Sequence, residues 1–147
     1  MPTRHHALLI GHGALIFILG LVAGVPFVWA IADAATGAPE AVESLRAWRM
    51  AHLEGALNGM MMFAIAASAK QLTISAKQSG LITWGLLVTG WGNILASFVS
   101  GLTGGRGLSF TGFDWNTLTF TLFSAAIVGV LIALIVLAVA AFTQKSD

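Results

Sequence analysis

The sequence predicts an all-α integral membrane protein, a four-transmembrane-helix bundle with both termini on the same side. Three observations carry that prediction. The chain is 57% hydrophobic and 9% charged with a mean hydropathy of +0.88, too little polar surface to clothe a water-soluble core of 147 residues. Four apolar stretches, at about 7–32, 48–69, 80–102 and 118–142, are each long enough to cross a hydrocarbon layer roughly 30 Å thick at about 1.5 Å of helix per residue. The segments between them are short and polar or glycine-rich, and no internal repeat or low-complexity tract breaks the pattern, so residues 1–147 form a single membrane domain.

Charge and composition exclude several classes of function. Seven Lys and Arg nearly balance six Asp and Glu, leaving no basic patch for nucleic acid. The absence of cysteine removes disulfides, thiolate-bound iron–sulfur clusters and Cys-based zinc sites. The absence of tyrosine removes a common proton donor.

Taken in order, Met1 to His6 is a short polar lead, with His5 and His6 expected at the interface without chemistry of their own. Ala7 to Ala32 runs 26 positions without a charge, interrupted by His12, glycines and Pro26, so the first span tilts or kinks near Pro26. Arg4 before an apolar run and the small residues Ala30, Ala32 and Ala34 resemble a secretion signal. The run is far longer than the roughly 7–15 apolar residues such a signal uses.

Asp33 to Arg49 reads as a loop, broken by Gly37 and Pro39 and carrying Glu40, with Glu43 to Trp48 starting the second helix. That helix continues through His52 to about Ala69. Lys70 and Lys77 bracket a short connection before the third span, Gly80 to Leu102. In it Thr89, Asn93 and Ser97 recur every fourth residue and make one polar stripe, either an interhelical hydrogen-bond seam or a pocket wall. Gly101 to Trp115 is a glycine-rich loop with Arg106 and Asp114, and Leu118 to Phe142 is an uncharged fourth span. Arg4, Lys70, Lys77 and Lys145 fall on the terminal side, against Arg46, Arg49 and Arg106 on the other. The excess places the termini in the cytoplasm, with the chain in a bacterial inner membrane.

The polar chemistry concentrates in Trp48 to Met62. His52, Glu54 and Asn58 are costly in a bilayer and each needs an internal partner. Gly55, Ala56 and Gly59 follow His52 at three, four and seven positions, so the imidazole stands beside a face with almost no side-chain bulk. Either another helix approaches that face closely, or His52 ligates a planar metallo-macrocycle lying against it. Antiparallel neighbours put Asn58 and Asn93 at about the same depth, roughly 10 Å in by the helical rise. Arg46, Arg49 and Arg106 gather on the His52 side, where they either mark the interface or anchor acidic groups such as haem propionates. His12 enters from the opposite side, on the order of 15 Å or more away in depth, so the two histidines do not share one iron. It is expected to be packed or hydrogen-bonded.

The segments Gly11-His12-Gly13, Trp48-Arg49-Met50-Ala51-His52 followed by Ala56-Leu57-Asn58-Gly59-Met60-Met61, Gly90-Trp91-Gly92-Asn93, and Arg106-Gly107-Leu108-Ser109-Phe110 resemble styrene oxide isomerase in order and spacing. The resemblance implies a homotrimer of four-helix chains in the lipid bilayer that binds haem b through its iron, with His52 as axial ligand. It implies a redox-neutral reaction in which a hydrophobic aryl epoxide opens and rearranges by a 1,2-hydride shift to an aldehyde. Asn58 matches a position that helps hold the epoxide, and Asn93 either supports the residues around the substrate or forms part of the pocket wall. At two positions the chain departs from the family pattern: Thr89 stands for an acidic residue, and Ser97 for a tyrosine. Glu54 is then either a compensating carboxylate or a residue in a loop-facing or interchain ion-pair role. Rival readings are a haem-binding homologue that handles gas or electrons without isomerising, and a cofactor-free transporter or scaffold.

Overall fold

A computed structural model describes residues 1–37 and 41–144 and is helical almost throughout. Pro39, Glu40 and Lys145, used above, lie outside the described residues. Helix α1 is Thr3–Ala35, α2 is Ala41–Ser68, α3 is Ala76–Thr103 and α4 is Trp115–Phe142, with a single 3-10 turn at Ala69–Gln71 between α2 and α3. Each helix is longer than its expected span. Residues 41–47, read above partly as loop, belong to α2, and α1 continues unbroken through Pro26 to Ala35.

The early starts of α3 and α4 have a polar cause that apolar content does not reveal. Ser75 accepts from the Gln78 amide at 3.2 Å while Gln78 Oε1 accepts from the Ser75 amide at 2.9 Å, a reciprocal cap that nucleates the first turn of α3. Asp114 accepts from the Thr117 amide at 2.7 Å and does the same for α4.

The helices pack through small residues. A Cβ placed on Gly55 would fall 2.3 Å from the Gly20 Cα, and one on Gly59 would fall 2.8 Å from the Gly13 carbonyl oxygen, so α1 and α2 touch backbone to backbone and run antiparallel. On the other side, Gly85 and Gly129 meet in the same way, and Ala126 and Ala133 continue that seam of α4 against α3. Such close approach maximises dispersion contact where lipid offers no hydrophobic driving force between helices. Between the two pairs lies an apolar core that includes Leu9, Ile16, Met62, Leu86 and Ile94.

The outward faces of α1 and α4 expose Leu15, Ile18, Val25, Ile127, Leu131 and Ile135, the surface expected of helices bathed in acyl chains. By length and composition α1, α3 and α4 can each cross a membrane. The first half of α2 carries Glu43, Arg46, Arg49, His52 and Glu54, which keeps it out of that class. At one end of the bundle His5 Nδ1 and Ser79 Oγ share a 2.7 Å hydrogen bond, and the Thr73 amide donates to Gln144 Oε1 at 3.2 Å. His5 therefore holds a structural contact.

Candidate functional site

Two polar side chains of α2 find partners on different neighbours, His52 on α1 and Asn58 on α3. His52 turns toward α1. Its Nδ1 lies 2.8 Å from the Gly20 carbonyl oxygen, and a carbonyl only accepts, so Nδ1 carries the proton and donates. Gly24 admits the ring, since a Cβ there would stand 3.2 Å from Nδ1. Phe27 stacks on it with centroids 6.0 Å apart and planes 25° from parallel. This arrangement fixes the tautomer and leaves the Nε2 lone pair free, the state in which a histidine ligates a metal.

The smooth face beside His52 is taken. Gly55 and Gly59 are buried against α1, and Gly20 abuts the Ala56 backbone amide. Of the two readings weighed above, Gly55, Ala56 and Gly59 follow the helix-packing one. A planar group held by His52 has no room against Gly55.

Asn58 leaves α2 six residues after His52, about 120° around the axis and about 9 Å along it, and it faces α3. Asn93 Nδ2 donates to Asn58 Oδ1 at 3.4 Å, so the two amides share one depth, as their positions in the sequence required. Asn58 Nδ2 in turn donates to both the backbone carbonyl and the carboxylate of Glu54, each at 2.8 Å. Ser97, one turn beyond Asn93, is fully buried, as is Ser100, and among the described residues neither hydroxyl has a hydrogen-bond partner.

Thr89 does not join them. Its hydroxyl donates to the Gly85 carbonyl oxygen at 2.8 Å and the Ala126 carbonyl oxygen at 3.0 Å, which ties it to the α4 seam. The expected stripe of Thr89, Asn93 and Ser97 is thus divided, with Asn93 facing α2 and Thr89 facing α4. Ser100 was legible by its spacing of seven from Asn93.

Of the three arginines, Arg46 pairs with Glu43 at 3.0 Å and Arg106 approaches the same carboxylate at 3.9 Å, in an exposed cluster. Arg49 makes no ion pair among the described residues. One turn before His52 and exposed, it is the cation on the imidazole's side of α2.

His12 is engaged elsewhere. Trp91 Nε1 donates to its Nδ1 at 3.1 Å, with the rings edge to face. Gly20, which marks the level of His52, lies eight residues further along α1, about 12 Å by the helical rise. The histidines are closer in depth than the roughly 15 Å or more expected, yet still too far apart to share one iron.

Among the described residues, no three His, Cys, Asp or Glu side chains converge as a metal site. A metal bound at His52 must therefore bring most of its ligands with it, as an iron porphyrin does. The donor chemistry of His52 and the nearby Arg49 fits such a group; the Gly55 and Gly59 face does not contribute to it.

Compared with individual curated proteins, the chain has no match. The family model for styrene oxide isomerase covers residues 5–142, nearly the whole of the sequence and all four helices, and the chain belongs to that family.

Proposed function

We propose that this chain is a haem b enzyme of the membrane that isomerises a hydrophobic aryl epoxide, such as styrene oxide, to the corresponding aryl acetaldehyde. The observation that carries the reading is the His52 imidazole. In a chain of the styrene oxide isomerase family, it is held by Gly20 in the tautomer that leaves Nε2 free.

When haem b binds, His52 would hold the iron and Arg49, whose guanidinium suits carboxylates, would pair with a propionate. When bound, haem b supplies an electron-poor iron that draws charge off an epoxide oxygen. In the balanced reaction the benzylic carbon–oxygen bond breaks and a hydride moves, with its electron pair, from the oxygen-bearing carbon to the benzylic one. The remaining carbon–oxygen bond becomes the carbonyl. No electron or proton is exchanged with a co-substrate.

The chain's own residues position and shield. Asn58 and Asn93 present amide dipoles to the polar reactant, and the surrounding apolar side chains keep out water that would trap the ring-opened centre. His52 and Asn58 of one chain diverge by about 120°. They serve one substrate only when a second copy stands against the first, and the reading therefore includes the homotrimer that the resemblance implies. All four helices span the membrane in this reading, with the termini on one, cytoplasmic, side of a bacterial inner membrane. The contacts of His5 with Ser79 and of Gln144 with Thr73 support a common side.

The test is to incubate purified, haem-loaded protein with styrene oxide and quantify phenylacetaldehyde. Aldehyde formation that depends on haem is expected. An intact Soret band with no aldehyde would favour the haem-binding homologue, a reading favoured by Thr89 being spent on α4.

A further inference from the structure

Asn58 is an amide whose direction is dictated. Its side chain is 5% exposed, so its hydrogen bonds are made within the protein or lost. Both hydrogens on Nδ2 are committed to Glu54, one to the carbonyl and one to the carboxylate. A backbone carbonyl accepts only, so the nitrogen must face Glu54 and the carbonyl oxygen must face α3. There it meets the Nδ2 of Asn93. A run of donors follows, from Asn93 to Asn58 to Glu54, all pointing the same way.

We propose that Glu54 is a positioning residue for the reaction: it locks Asn58 so that the seam sees its carbonyl oxygen, and it makes Asn93 the amide that offers a free N–H. The inference rests on the isomerase reading for its role in turnover. The orientation itself does not depend on that reading. An oxygen dipole held toward α3 complements the positive charge that develops on the ring-opened carbon, and the half-buried Asn93 keeps one N–H for an epoxide oxygen. Without the carboxylate, only the Glu54 backbone carbonyl still holds an Nδ2 hydrogen, and an amide released at its other hydrogen can swing its oxygen away from that charge.

Glu54 acts through an acceptor oxygen, which separates this role from one that needs its charge. Glu54→Gln retains a carbonyl oxygen, and Glu54→Leu keeps the bulk without an acceptor. Steady-state kinetics of haem-loaded protein should show Glu54→Gln within about threefold of wild type, whereas Glu54→Leu loses about 10- to 100-fold in kcat at little-changed KM. The double variant with Asn58→Ala should be no slower than Asn58→Ala alone. Equal losses in the Gln and Leu variants, or none in the Leu variant, would overturn the proposal.

The chain has three asparagines, Asn58, Asn93 and Asn116, so asparagine-selective 15N labelling gives a side-chain spectrum that needs no activity. The Asn58 amide hydrogen bound by the carboxylate should exchange slowly in wild type and Glu54→Gln and lose that protection in Glu54→Leu, while the other stays on the Glu54 backbone carbonyl. Protection unchanged in Glu54→Leu would overturn the proposal even in an active enzyme. If wild type forms no aldehyde, the isomerase reading and with it the role in turnover fail, while these signals still decide the orientation.

Discussion

At the scale of single residues, the difference between what spacing implies and what the chain does lies in the glycines of α2. Gly55 and Gly59 announce that something comes within backbone distance of that face, and spacing cannot say what. The structure puts α1 there, because Gly20 opposes Gly55 with an equally bare surface. Gly55→Ala would drive a methyl into the Gly20 backbone, and such overpacking costs about 1–3 kcal/mol. Gly80, where an added Cβ meets nothing within 4 Å, serves as the contrast: alanine there should leave stability unchanged or raise it by about 0.4–1 kcal/mol. Thermal unfolding of the two variants in detergent checks both, and equal midpoints would contradict the packing described. Thr89 shows a second limit. A helical hydroxyl can bond the carbonyl four residues back as well as a neighbouring helix, so its place in a stripe does not reveal which way it faces.

At the scale of elements, the four helices were legible because long uncharged runs have few alternatives, and the shared depth of Asn58 and Asn93 followed from helical rise alone. The helix starts were not, because they depend on polar caps. Ser75 with Gln78, and Asp114 with Thr117, add a turn ahead of the apolar run. The Asp114 cap also predicts a pH dependence. The Thr117 amide, foremost, and the Thr111 hydroxyl hold its carboxylate below the ordinary value. A group whose pKa is depressed on folding stabilises above its unfolded value, and the effect is lost as pH falls through the folded one. Hydrogen exchange at the Thr117 amide should thus stay protected from neutral pH down to the ordinary carboxylate range and lose its extra protection only below it. Asp114→Asn should flatten that response. Protection falling already between pH 7 and pH 5 would contradict the assignment.

At the scale of the whole molecule, two helix pairs built on small-residue seams enclose a shared apolar core and leave Ile, Leu and Val outward. Only α2 departs from the composition of a membrane helix, and it does so where the candidate site lies: among the polar side chains that lower its hydropathy are His52 and Asn58, bonded to α1 and α3. Since the chain contains no cysteine, single cysteines at Thr3, Thr73, Thr36 and Ser109 report topology without background. With four spans, an impermeant maleimide should label the first two from one face of sealed vesicles and the last two from the other. Labelling of all four from one face would contradict the four-span reading. The central claim is that His52, oriented by Gly20, holds haem b, and the measurement that tests it most directly is the absorbance spectrum of purified wild type beside His52→Ala. The account predicts a Soret band in wild type and a variant that remains folded but loses most of its haem. An unchanged haem content and Soret position in the variant would contradict it.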